Sequence, residues 1–174
     1  MINPFSPKYI LITLLAVFLS FGLHEASHWF AGELIGYNMT MSMNSASPID
    51  VDTYQEEWHG MVISAAGPLF TILQAAAIYL LMRRKPRPLL YPFLFVPLVM
   101  RIMAALLGFV HPNDEARISH DLGLSIWTLP AIVCGLLFYF VYRISRQYVL
   151  PIQFNLMTLT FVLLFSSIVI LVIK

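Results

Sequence analysis

The chain has 174 residues, of which 59% are hydrophobic and 11% charged. Soluble domains run at about 45–50% apolar and 25% charged, so this composition excludes a soluble enzyme and a disordered chain. Ten Lys+Arg against nine Asp+Glu leave no basic surplus for binding nucleic acid. With a mean hydropathy of +0.79, much of the apolar surface must face a lipid bilayer. A single cysteine, Cys134, allows no intrachain disulfide. The composition is that of an all-α polytopic membrane protein, a single integral membrane domain over residues 1–174.

Five apolar stretches are long enough to cross a ~30 Å hydrocarbon core, which takes roughly 20 helical residues. They fall near 9–31, 61–82, 89–110, 122–142 and 152–173. The first opens like a secretory signal, with Lys8 before Tyr9–Leu23. No small-x-small cleavage site follows, and the helical pattern runs on to about Gly36, so an uncleaved span is expected. Between the first two spans lies the only substantial polar insertion, about 37–59. Pro88, Pro92 and Pro97 make the third span irregular, and Arg101 sits within it.

The charges are unevenly placed. Lys8, then Arg83, Arg84, Lys85 and Arg87, then Arg143 and Arg146 mark one set of ends, whereas residues 32–60 hold no Lys or Arg. Positive-inside bias predicts a cytoplasmic N-terminus, cytoplasmic 83–87 and 143–146 loops and, with five spans, an external C-terminus; Lys174 weighs weakly against the last.

All five histidines and all nine acids fall in two segments, 24–59 and 111–121. Sorting of polar residues into loops explains Asp50, Asp52, Glu56 and Glu57. It does not explain His24, Glu25 and His28, which interrupt an apolar helix where ionisable groups are costly to desolvate. These residues read His24-Glu25-Ala26-Ser27-His28, an HExxH motif. Residues i and i+4 share a helix face, so both imidazoles can reach one tetrahedral zinc. Glu25 points about 100° away from His24, beside the metal, where it can take a proton from activated water and return it to a leaving amine. Interfacial histidines bonded to backbone or headgroups are the plainer alternative. His24 lies sixteen residues beyond Lys8, about 24 Å along a helix, which sets the site just beneath the outer surface of the bilayer.

A catalytic zinc takes three protein ligands and keeps a fourth position open. The third ligand is expected in 111–121, with Asp114 the first choice at the outer end of the third span. Asp121, His120 and Glu115 are the other candidates. Asn113-Asp114-Glu115 after Pro112 also reads as an ordinary helix start.

Taken together, these features resemble the site-2 protease family of intramembrane zinc metalloproteases. The likeness rests on HExxH in the first span (His24–His28, continuing Trp29-Phe30-Ala31-Gly32), on Ala65-Ala66-Gly67-Pro68-Leu69 opening the second, and on an Asp ending the third. It covers about 20–125 and leaves 122–142 and 152–173 as accessory helices. The family's Asn-Pro-x-Asp-Gly signature is absent, Asn113-Asp114-Glu115 standing in its place. Thr71 replaces the usual Asn after Gly-Pro, and there is no PDZ or CBS domain; the resemblance is to a divergent, minimal member.

The resemblance implies one Zn2+ per chain held by His24, His28 and Asp114, with Glu25 as general base and acid. It implies a substrate peptide bond in or near a transmembrane segment of a membrane protein. It also implies a short β-hairpin between the first two spans, one strand of which Tyr37–Asn44, with Met39, Met41 and Met43, can supply; a half-buried strand with no substrate role is the simpler reading. His59 is either a group near the zinc or an interfacial anchor beside Trp58, and Arg101 either pairs with an acid of 114–121 or snorkels. Gly67-Pro68 is expected to allow close helix packing and a kink. The rival reading is a non-proteolytic zinc-binding membrane protein, a transporter or an inactive scaffold.

Overall fold

The computed structural model describes residues 3–49, 54–108 and 112–172. The elements in chain order are α1 (Pro7–Ile35), β1 (Met39–Met41), β2 (Ala46–Pro48), α2 (Glu57–Arg84), a 3-10 turn (Pro88–Leu90), α3 (Tyr91–Leu107), α4 (Asp114–Asp121), α5 (Thr128–Gln147) and α6 (Ile152–Val172). Among the described residues five helices are long and apolar enough to cross a membrane, all but the short α4. The chain is an all-helical membrane protein with one two-stranded antiparallel ribbon.

The first helix has identifiable stops at both ends. Ser6 caps α1 by accepting from the Tyr9 N–H, and Pro7 follows where a missing N–H costs nothing. At the other end Gly36 takes a left-handed φ of 101°, letting the Tyr37 N–H reach back to the Gly32 carbonyl. α4 ends the same way: Gly123 has φ 69°, and the Leu124 N–H bonds the Ser119 carbonyl at 2.8 Å.

That second stop corrects the expected start of the fourth span. The helix runs from Thr128 to Gln147, not from 122 to 142. Leu122, Leu124 and Ile126 are apolar and extend the hydropathy signal, but Leu122 caps α4, Leu124 and Ile126 lie in the turn after Gly123, and all three are exposed. The other four spans fall within a few residues of expectation, the outer ends of the third and fifth (109–110 and 173) lying outside the described residues.

α3 is the inner helix, burying Leu94, Val96, Leu98 and Val99 among its neighbours α1, α2, α5 and α6. Pro97 has no N–H to give to the Phe93 carbonyl four residues back. In an apolar interior that carbonyl needs another donor. Gln74 of α2 supplies it through Nε2 at 3.2 Å, and the same nitrogen bonds Ser20 Oγ of α1 at 2.8 Å. One side chain thus ties three helices together at the proline.

The ribbon is shorter than the 37–44 strand expected. Met39 pairs with Pro48, Thr40 with Ser47 and Met41 with Ala46. Its methionines lie unequally: Met39 is buried over Gly32, Met43 packs beside Gly22, and Met41 is exposed. Glu33 Oε1 accepts from the Met39 N–H at 2.8 Å, and Trp29 Nε1 donates to the Met39 carbonyl. The ribbon is therefore fastened to the last turns of α1, beside the histidines.

Candidate metal centre

HExxH on one face of α1 places His24 and His28 a turn apart, and both are buried. α4 brings the third group. Asn113 caps it by accepting from the Ala116 N–H at 2.8 Å, so Asp114 occupies the first helical position and its carboxylate is favoured by the helix N-terminus. The helix-start reading of this segment and its role at the site are thus compatible. His24 Nε2 lies 3.2 Å from His28 Nε2, and Asp114 Oδ2 lies 3.3 and 3.4 Å from them.

Three further observations test whether these residues fit a metal ion. First, tetrahedral ligands at about 2.0–2.1 Å from zinc stand about 3.3–3.4 Å from one another, the size of this triangle. Second, the outer nitrogens fix the tautomers. The His28 Nδ1–H donates to the Ile63 carbonyl at 2.6 Å. Thr71 gives its own hydrogen to the Gly67 carbonyl, so its oxygen accepts from the His24 Nδ1–H at 2.9 Å. With neutral rings both Nε2 lone pairs then face each other and the carboxylate, an arrangement that a cation relieves. Third, a Cβ on Gly67 would fall 2.3 Å from His28 Nε2 and 2.5 Å from His24 Cε1. Only glycine leaves α2 room against the two rings. The residues fit a small, borderline-soft divalent ion.

Burial works to raise the Asp114 carboxyl. Its polar partners, His24 and His28 first and then Arg101, outweigh burial and hold it well below the usual carboxylate range. It is an anion at neutral pH. Its second oxygen, Oδ1, accepts from Arg117 at 2.6 Å, while Oδ2 faces the two Nε2 atoms and, at 3.4 Å, Arg101 Nη1.

The remaining candidates separate cleanly. Glu25 lines the same cavity as the triangle, a polar space of about 330 Å³ shared with Arg101, Arg117 and the ribbon residues Asn44–Ser47. Glu115 is buried but turned to Arg101. Asp121 and His120 are largely exposed, lie 3.5 Å from each other, and line a neighbouring cavity of about 400 Å³. His59 is buried beneath Tyr37, whose hydroxyl shares a hydrogen bond with its Nδ1 at 2.8 Å. It braces the loop, and among the described residues it is no part of the donor group. Asp50, Asp52 and His111 lie outside the described residues. A larger cavity, about 620 Å³, is at the opposite end, among prolines and aromatics with no acid or histidine among its described lining residues.

Arg117 and Thr71 are not legible in the sequence as parts of a metal site, whereas the close packing expected at Gly67 is found against the two histidine rings. Arg117 carried one signal, its i,i+3 spacing from Asp114 on a short helix. Comparison with known proteins gives no match to a family model, to a curated protein or to a solved structure.

Proposed function

We propose that the protein is an intramembrane zinc endopeptidase related to the site-2 proteases. The observation that carries this reading is the donor triangle of His24, His28 and Asp114, its tautomers held from outside, opening on a cavity that also holds Glu25. Zinc held there would supply Lewis acidity and favour deprotonation of the attacking water near neutral pH. His24 and His28 present Nε2, Asp114 presents Oδ2, and Glu25 accepts a proton from the attacking water and delivers it to the departing amine. The cavity beside these groups, about 330 Å³ and lined largely by polar residues, has room for the water that the reaction consumes.

The substrate we propose is a transmembrane segment of another membrane protein. A hydrogen-bonded helix hides its peptide carbonyls, so such a segment must unwind locally to present an extended bond to the site. By positive-inside bias the site stands towards the outer leaflet and the 83–87 loop in the cytoplasm. A transporter would carry polar groups along a path through several spans. Here the acids and histidines gather at one end and residues 61–110 hold none of them.

The deciding experiment is metal analysis of purified protein beside Glu25→Gln, both assayed on a panel of single-span membrane proteins. One zinc in each, with cleavage by the wild type alone, supports the reading. Equal cleavage by Glu25→Gln overturns it.

A further inference from the structure

Arg101 lies in α3, 5% exposed, among residues that are otherwise apolar. Its Nη1 donates to both oxygens of the buried Glu115, at 3.2 and 3.3 Å, and lies 3.4 Å from Asp114 Oδ2. Its Nη2 stands 3.3 Å from His24 Nε2, and its Nε has no partner among the described residues. The guanidinium therefore straddles the His24–Asp114 edge of the donor triangle and forms part of the cavity wall.

The Arg101–Glu115 contact is more than a structural pair. Burying an ion pair costs several kcal/mol per ion, and well-packed apolar residues of similar volume commonly serve stability as well or better. The contacts are also one-sided. Glu115 engages Nη1 and, among the described residues, leaves Nη2 free of any carboxylate. The one lone pair on His24 Nε2 that faces Nη2 is the lone pair the donor triangle offers to a metal. When a metal takes it, the N–H groups of Nη2 are left as donors beside the reacting position, with the charge of Arg101 balanced by Glu115.

We propose that Arg101 is a catalytic residue that stabilises the negative charge developing on the scissile carbonyl oxygen. This rests on the endopeptidase reading. Water oxygen attacks the carbonyl carbon as its proton passes to Glu25, and the π pair moves onto the carbonyl oxygen, which accepts hydrogen bonds from Arg101. When the pair returns, the C–N bond breaks, its electrons stay on nitrogen, and Glu25 delivers the proton there. A carboxylic acid and an amine leave. Donors aimed at an oxyanion in a water-poor site commonly supply the largest single share of a rate enhancement.

The test uses purified full-length protein carrying Arg101→Gln, and a double variant, Arg101→Met with Glu115→Met, that removes both buried charges. Zinc content, kcat and KM are measured with affinity for two probes, a phosphoramidate dipeptide and a peptide hydroxamate. The phosphoramidate is tetrahedral and anionic like the transition state; the hydroxamate relies on the metal. Both variants should keep one zinc and bind hydroxamate like the wild type. Both should lose kcat by about 100- to 1,000-fold with KM little changed, and phosphoramidate affinity should fall in parallel. Unchanged kcat or phosphoramidate affinity overturns the proposal. So does loss of zinc in both variants, which makes Arg101 a support of the metal centre. A wild-type protein that binds no zinc or cleaves no panel member overturns the endopeptidase reading itself, and this proposal with it.

Discussion

Thr71 holds the Nδ1 proton of His24: its hydroxyl gives its own hydrogen to the Gly67 carbonyl and so can only accept from the ring. Such outer partners of a metal-binding imidazole fix its tautomer and orientation, and losing one typically weakens metal binding by about 10- to 100-fold. Thr71→Val keeps the shape and removes the acceptor. We expect it to fold, to weaken zinc binding by about that factor in a chelator competition, and to be largely restored as Thr71→Ser. Wild-type affinity in Thr71→Val would show that packing alone orients the ring.

Gly67 carries a sharper steric argument. An alanine Cβ there would meet His28 Nε2 at 2.3 Å and His24 Cε1 at 2.5 Å, so at least one ring must leave its place. In a helix interior alanine is favoured over glycine by about 1 kcal/mol, so the helix itself is not harmed. Gly67→Ala should therefore keep its helical circular dichroism and lose bound zinc. Full zinc content in this variant would place the metal elsewhere.

These two residues also mark where sequence reading stops. His24 and His28 were visible because a four-residue spacing is local to one helix and because charge inside an apolar run is conspicuous. Asp114 was visible from its place at the end of a span. Gly67 reads in the sequence as a point of close helix packing, but which rings it clears, and the work of Thr71, depend on how α2 packs against α1, which no local pattern states; Thr71 shows in the sequence only as a departure from a family motif. Hydropathy sets the start of α5 too early for the converse reason. Leu122, Leu124 and Ile126 prolong the hydropathy signal, while the left-handed turn at Gly123 ends α4 among them. The five spans were otherwise legible because length and hydropathy alone decide them.

The choice of third ligand is open to direct test. Asp114 Oδ2 completes the triangle, whereas the His120 and Asp121 side chains are 80% and 44% exposed and face the neighbouring cavity. Asp114→Asn keeps the size of the side chain and removes its anionic oxygen, a donor that zinc sites use. It should abolish stoichiometric zinc binding, measured by metal analysis after dialysis against a weak chelator. Asp121→Asn and His120→Ala should retain the metal. Retention in Asp114→Asn with loss in either of the others would transfer the role.

Orientation is the last point to test, and the charge asymmetry makes it decidable. Arg83, Arg84, Lys85 and Arg87 close one end of the bundle, while the ribbon and donor triangle lie at the other, fastened to the last turns of α1. Insertion disfavours moving clustered Lys and Arg across the bilayer, which predicts a cytoplasmic 83–87 loop and an external ribbon. Lys85 and Thr40 are both exposed, so each can carry a reporter cysteine once Cys134 is replaced by alanine. In intact cells a membrane-impermeant thiol reagent should label Thr40→Cys and spare Lys85→Cys until the membrane is opened. Labelling of Lys85→Cys with protection of Thr40→Cys would invert the molecule and turn the donor triangle towards the cytoplasm. The substrate's bond would then have to be reached from that side, and the panel of membrane substrates would be chosen for cytoplasmic juxtamembrane segments.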